Sequence, residues 1–195
     1  MKKIIYLTIS LMLMAFHSVK ADNYAGIEYL HTKVDTGITN ISSKLDEDDN
    51  GYSLIFGSDL NENVALEVSY NDFGEASLSG VSGNQFIVDG TTYQFNTTAS
   101  LSASVTSWGF AAKPKIMLAD GVSAYGRIGL HRWEEKLNIT ATTVTANASD
   151  TGTDIFYGAG IEIGKSNLKG RVGYSIYDVD GDDLKSMNFG LAYSF

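Results

Sequence analysis

The sequence predicts an all-β fold: an eight-stranded antiparallel up-and-down transmembrane β-barrel. Three observations predict it. After residue 21, apolar and polar side chains alternate with period two in eight segments. The connections between those segments alternate between short and long. The chain also opens on an export signal, yet no later stretch approaches the run of about 18 apolar residues that a spanning helix needs.

Residues 1–21 have the order of a secretory signal peptide. Lys2 and Lys3 form the charged start, Ile4 to Phe16 the apolar run, and Val19 and Ala21 the small-residue exit before Asp22. A buried amphipathic helix would not need that order. Residues 22–195 then form one domain of 174 residues with 11 basic and 23 acidic side chains. A net charge of −12 gives no electrostatic reason to bind nucleic acid. With no cysteine, neither a disulfide nor a thiolate metal site can form. In lipid, only a closed barrel satisfies every backbone group of such a strand-rich chain.

The eight segments fall near 23–33, 51–60, 63–73, 99–116, 121–133, 154–165, 168–178 and 184–195. In the third, Val64, Leu66, Val68 and Tyr70 oppose Ala65, Glu67, Ser69 and Asn71. In the sixth, Ile155, Tyr157, Ala159, Ile161 and Ile163 oppose Asp154, Gly158, Gly160 and Glu162. The short connections are Leu60-Asn61-Glu62, Leu118-Ala119-Asp120 and Ser166-Asn167. Those at 34–50, 74–98 and 134–153 are long and polar, and 179–183 is the fourth on their side. An outer-membrane barrel pairs short periplasmic turns with longer outer loops in this way.

A soluble barrel or sandwich would alternate as well. Three features argue for lipid: the export signal, the aromatics and the last strand. Tyr24, Tyr29, Tyr52, Tyr70, Trp108, Tyr174 and Tyr193 fall mostly on the apolar face, where girdle residues belong. Phe189, Leu191, Tyr193 and Phe195 share one side of the last strand. A terminal strand ending on Phe resembles the signal that the barrel assembly machinery reads.

Several ordered stretches carry a resemblance. They are Asn61-Glu62-Asn63-Val64-Ala65-Leu66-Glu67 running to Tyr70-Asn71-Asp72-Phe73-Gly74, then Ala112-Lys113-Pro114 and Tyr125-Gly126-Arg127-Ile128-Gly129. Phe156-Tyr157-Gly158-Ala159-Gly160-Ile161-Glu162, Arg171-Val172-Gly173-Tyr174 and Asn188-Phe189-Gly190-Leu191-Ala192-Tyr193-Ser194-Phe195 follow. Together they resemble the transmembrane domain of the OmpA family and its small barrel-only relatives. The resemblance implies the outer membrane of a Gram-negative bacterium, with lipid and lipopolysaccharide as surroundings, and a monomer. The chain stops at Phe195, so the family's wall-anchoring role is not carried over.

The polar face holds the charges Glu28, Glu67, Lys113, Arg127, Glu162 and Arg171, three acids and three bases. An eight-stranded interior is narrow enough for side chains to fill, and buried charges there must pair. The resemblance implies that Glu67 pairs with Arg171 and Lys113 with Glu162. The exchanged pairing of Glu67 with Lys113 stays open. The family often has Lys where Glu28 stands and Glu where Gly173 stands, so the edge of the network is rewired here. Loss of Arg171 is expected to raise conductance. Gly160→Ser, on the same face, is expected to cost much less than Val68→Arg on the apolar face unless the packing there is tight.

Asp46, Glu47, Asp48 and Asp49 form one acidic loop cluster, and Asp178, Asp180, Asp182 and Asp183 another around Gly181. The second lacks the residue order of an EF-hand and reads as solvated charge. Such loops could bridge to lipopolysaccharide through divalent cations. No dedicated metal site or cofactor is expected. His31 points outward by parity and His131 inward, and no nucleophile with base and orienting partner can be placed, so no enzyme is expected. Two functions remain: a structural or adhesin-like barrel plugged by ion pairs and presenting loops to an extracellular ligand, or a narrow pore for ions or small solutes.

Overall fold

The computed structural model describes residues 22–34, 37–88 and 90–195. The signal-peptide reading falls on residues 1–21, outside the described residues. Among these residues twelve strands follow in order: β1 (Asn23–Val34), β2 (Ile38–Asn40), β3 (Lys44–Asp46), β4 (Asp48–Asn61), β5 (Val64–Gly80) and β6 (Gln85–Val88). The others are β7 (Thr91–Gln94), β8 (Ala99–Ala119), β9 (Val122–Ala141), β10 (Thr145–Ile163), β11 (Leu168–Val179) and β12 (Asp182–Ser194).

Eight of them close a ring in the order β1, β4, β5, β8, β9, β10, β11, β12, every neighbour antiparallel. The last strand pairs with the first, from Tyr24 opposite Ser194 to Val34 opposite Leu184. Phe195 adds a backbone bond of 2.8 Å to the Asn23 carbonyl. Closure leaves no unpaired edge in the wall of the ring, which is the condition for spanning lipid with strands.

Period two decides which side chains meet lipid. Outward positions on β10 run Ile163, Ile161, Ala159, Tyr157 and Ile155 and then turn polar at Thr153. These nine residues climb about 20 Å at a strand tilt of about 40°, close to the apolar band of such barrels. On β9 the band ends between Leu130 and Arg132. Trp108 and Ile128 are more than 60% exposed, which only an apolar surrounding explains on so many strands at once. Tyr52, Tyr70 and Trp108 line up across neighbouring strands, with ring centroids 6.2 and 5.2 Å apart, as one arc of an aromatic girdle. Tyr24 corrects the aromatic reading. It is buried in the lumen, on the parity of Glu28.

The long connections are more ordered than the sequence suggests. β9 and β10 run through most of 134–153 and turn at residues 142–144. β5 continues to Gly80, β6 and β7 form a hairpin within 74–98, and β2 and β3 lie within 34–50. Beyond the band both faces of a strand meet water, so the hydrophobic alternation fades while the backbone ladder continues. The rim is therefore uneven. β5, β8, β9 and β10 form a tall wall, edged by β3, while β11 and β12 turn back at Asp180-Gly181. A bulge between Asp72 and Glu75 lets β5 bend into this wall. Gly74 takes φ +83 there, and a Cβ on it would lie 2.6 Å from an Asp49 carboxylate oxygen. The bulge reverses the parity of β5, so that Phe73 and Ala76 both point inward.

Candidate functional site in the barrel lumen

The strand pattern sends Glu28 of β1, Glu67 of β5, Lys113 of β8, Arg127 of β9, Glu162 of β10 and Arg171 of β11 into the bore. Each is buried. Arg171 donates to Glu67 at 2.8 Å, and Lys113 donates to Glu162. The structure adds contacts beyond these two pairs. Arg127 donates to Glu28 and lies 3.2 Å from Glu67. Arg171 lies 3.3 Å from Glu28 and 3.2 Å from Glu162, and Lys113 lies 3.4 Å from Glu67. The six form one network with no net charge, and the two alternative pairings of Glu67 occur in it together.

Glu67 and Arg171 are its hubs. Glu67 meets all three bases and also accepts from the Tyr24 hydroxyl at 2.7 Å. Arg171 meets all three acids. Two tyrosine rings flank the cations: the Lys113 ammonium lies 5.0 Å from the Tyr24 centroid and 4.8 Å from that of Tyr125. Desolvation is offset here by multiple partners and ring faces, not by single pairs.

Two further layers fill the bore. Ser53 donates to Asn71 at 2.7 Å, and Asn71 donates to Ser69 and Ser107 at 3.2 and 3.1 Å. Asn188 donates to Glu28 at 3.2 Å and to Ser175 at 3.4 Å, so a second amide and hydroxyl pair meets the ions directly. An apolar layer includes Leu30, Phe73, Trp133, Phe156, Tyr177 and Leu184. Phe156 and Tyr177 stack at 5.0 Å, and Phe73 meets Tyr177 edge-on at 4.7 Å. His131 is buried beside them, with its Nε2 2.8 Å from the Asp178 carbonyl, while His31 points outward. An ionic layer and an aromatic layer thus both cross the bore.

A family model described as outer membrane protein beta-barrel domain matches residues 4–195. The chain belongs to that family. Among solved structures, Ail, the attachment invasion locus protein of Yersinia pestis, is 16% identical, with 91% of this chain and 100% of that one covered, at a TM-score of 0.55. OprG from Pseudomonas aeruginosa is 10% identical, covering 91% and 97%, at 0.56. Neisserial surface protein A is 12% identical, covering 89% and 97%, at 0.53. At these identities the likeness is one of fold. No curated protein matches the chain.

Within this outer-membrane barrel, the apolar layer is what sequence reasoning missed. Phe156 shares the parity of Glu162, and Tyr177 that of Arg171, so both lie on a face that otherwise reads as polar. The signal lies in glycines directly opposite Phe156 and Trp133 on the neighbouring strand. A Cβ on Gly129 would lie 2.8 Å from the Phe156 ring, and one on Gly152 only 2.3 Å from Trp133. At Gly160 the packing is tight in the same way. A Cβ there would sit 2.5 Å from the Tyr125 ring and 2.5 Å from the Val172 carbonyl oxygen. Gly160→Ser is therefore expected to lower stability by about 1–3 kcal/mol, as overpacking does. A denaturant titration in lipid checks it; a loss below about 0.5 kcal/mol would mean that the Tyr125 ring yields freely.

Proposed function

We propose that this chain is a non-catalytic outer-membrane barrel with a structural or surface-interaction role, its lumen closed and its long-connection end turned outward. Two side-chain layers in the bore support the reading. Six charges balance to zero in a buried network, and the Phe73, Phe156 and Tyr177 layer lies in series with it. The tall wall of β5, β8, β9 and β10 then gives the barrel an extended surface beyond the lipid. In the same proposal, residues 1–21 are removed on export. The assembly machinery reads Phe189, Leu191, Tyr193 and Phe195, which all face outward along β12 and its end. The barrel acts as a monomer among lipid and lipopolysaccharide.

One structure of Ail holds the heparin analogue sucrose octasulfate. Charge argues against a polyanion here, since Asp46, Glu47, Asp48 and Asp49 lie at one part of the long-connection rim and Asp178, Asp180, Asp182 and Asp183 at another. Single-channel recording in planar bilayers tests the closed lumen. The refolded chain is expected to show no steady conductance. A stable, reproducible open level would replace this reading with the narrow pore.

A further inference from the structure

Above the apolar layer, the tall wall and the loops line an open cavity of about 250 Å³. Leu45 of β3, Leu78 of β5, Leu101 of β8 and Leu137 of β9 converge on it. Leu137 is 43% exposed although it faces this space and lies beyond the lipid band. Apolar surface left to water in this way favours an apolar occupant, at about 25 cal/mol for each Å² it covers. The volume suits a chain of about six carbons with a small head group, given about 30 Å³ for each water displaced.

Charge selects the head group. The charged lining residues, among the described ones, are Glu135 and Asp182, both acids. Asp150 stands beside Glu135 across the β9–β10 ladder. Burial, with Asp150, Asp182 and Asp180 nearby, holds the Glu135 carboxyl above the usual carboxylate range, the response of an acid faced by other acids. Among the described residues, no three such side chains converge closely enough to hold a metal ion. An apolar wall beside two acids complements an organic cation.

We propose that this pocket binds a small alkyl or aryl ammonium compound, its body against Leu78, Leu101 and Leu137 and its ammonium between Glu135 and Asp182. The pocket lies on the long-connection side of the aromatic layer, so the proposal stands whether or not the lumen conducts.

The test uses the refolded chain in lipid nanodiscs, with protein-free nanodiscs as the blank. Methyl chemical shifts of the leucines are followed against n-hexylammonium, 1-hexanol and hexanoate. Hexylammonium is expected to bind saturably and at least tenfold more tightly than hexanol, and hexanoate not at all. Glu135→Gln combined with Asp182→Asn should bring hexylammonium down to the affinity of hexanol. Ala103→Phe, which fills the cavity from β8, should abolish both. These positions lie beyond the lipid band, and heat-modifiable gel mobility reports folding of each variant. The wild-type comparison decides even if a variant fails to fold. Absence of saturable binding, equal affinity for hexanol and hexylammonium, or binding of hexanoate overturns the proposal. So does a preference for the ammonium that survives in the folded double variant.

Discussion

Arg171→Ala is expected to lower the stability of the barrel in lipid by about 3–5 kcal/mol, the usual cost of breaking a buried ion pair by removing one partner. The cost follows from geometry. Arg171 touches Glu67, Glu28 and Glu162, so its loss leaves three buried acids with Lys113 and Arg127 alone. Glu67→Ala is expected to be comparably harmful, because three bases lose a shared acceptor. The double variant should recover part of the loss. It keeps the close contacts of Arg127 with Glu28 and of Lys113 with Glu162, two matched pairs with no net charge. A double-mutant cycle by urea titration in lipid vesicles should give a coupling of about 1–3 kcal/mol. Additive losses would show that Glu67 and Arg171 do not act as partners. Conductance should not follow stability here. The aromatic layer lies outside the network, so Arg171→Ala is expected to raise conductance only as far as that layer lets ions pass; single-channel recording of the variant measures it.

Val68→Arg is expected to cost about 1–2 kcal/mol, between the roughly 2–4 kcal/mol of a cation at the bilayer midplane and the smaller cost near the interface. Val68 points outward on β5, one outward position from the Tyr70 girdle, and stands opposite Phe56 on β4 and Phe110 on β8. An arginine there must desolvate or reach past the girdle to the interface. The comparison is Thr106→Arg on the outward face of β8, beyond Trp108, where the band has ended and the same charge meets water. That substitution should change stability by less than about 0.5 kcal/mol. Equal tolerance at both sites in a lipid-refolding titration would remove the case for a lipid-facing belt.

Much of this protein is determined by the sequence alone, for a local reason. A strand sends successive side chains to opposite faces, so parity by itself assigns Val68 and Ile161 outward and all six lumenal charges inward. The even strand count brings β12 back to β1. Balanced charge in a bore that side chains must fill requires the charges to be paired. What parity cannot supply is height along the bore. That depends on strand tilt, stagger between neighbours and the bulge at Gly74, none of which a local pattern encodes. Only the tertiary structure decides that Arg127 reaches Glu28, 99 residues away in the chain, and that six charges merge into one network. Phe73, Phe156 and Tyr177 come from three separate strands on a face that reads as polar. They meet because stagger sets them at one level and the missing side chain of Gly129 leaves room for Phe156. The tall wall is likewise tertiary: in water on both faces, Leu137 and Ile139 need no alternation to stay in a ladder, only the neighbouring strands β8 and β10.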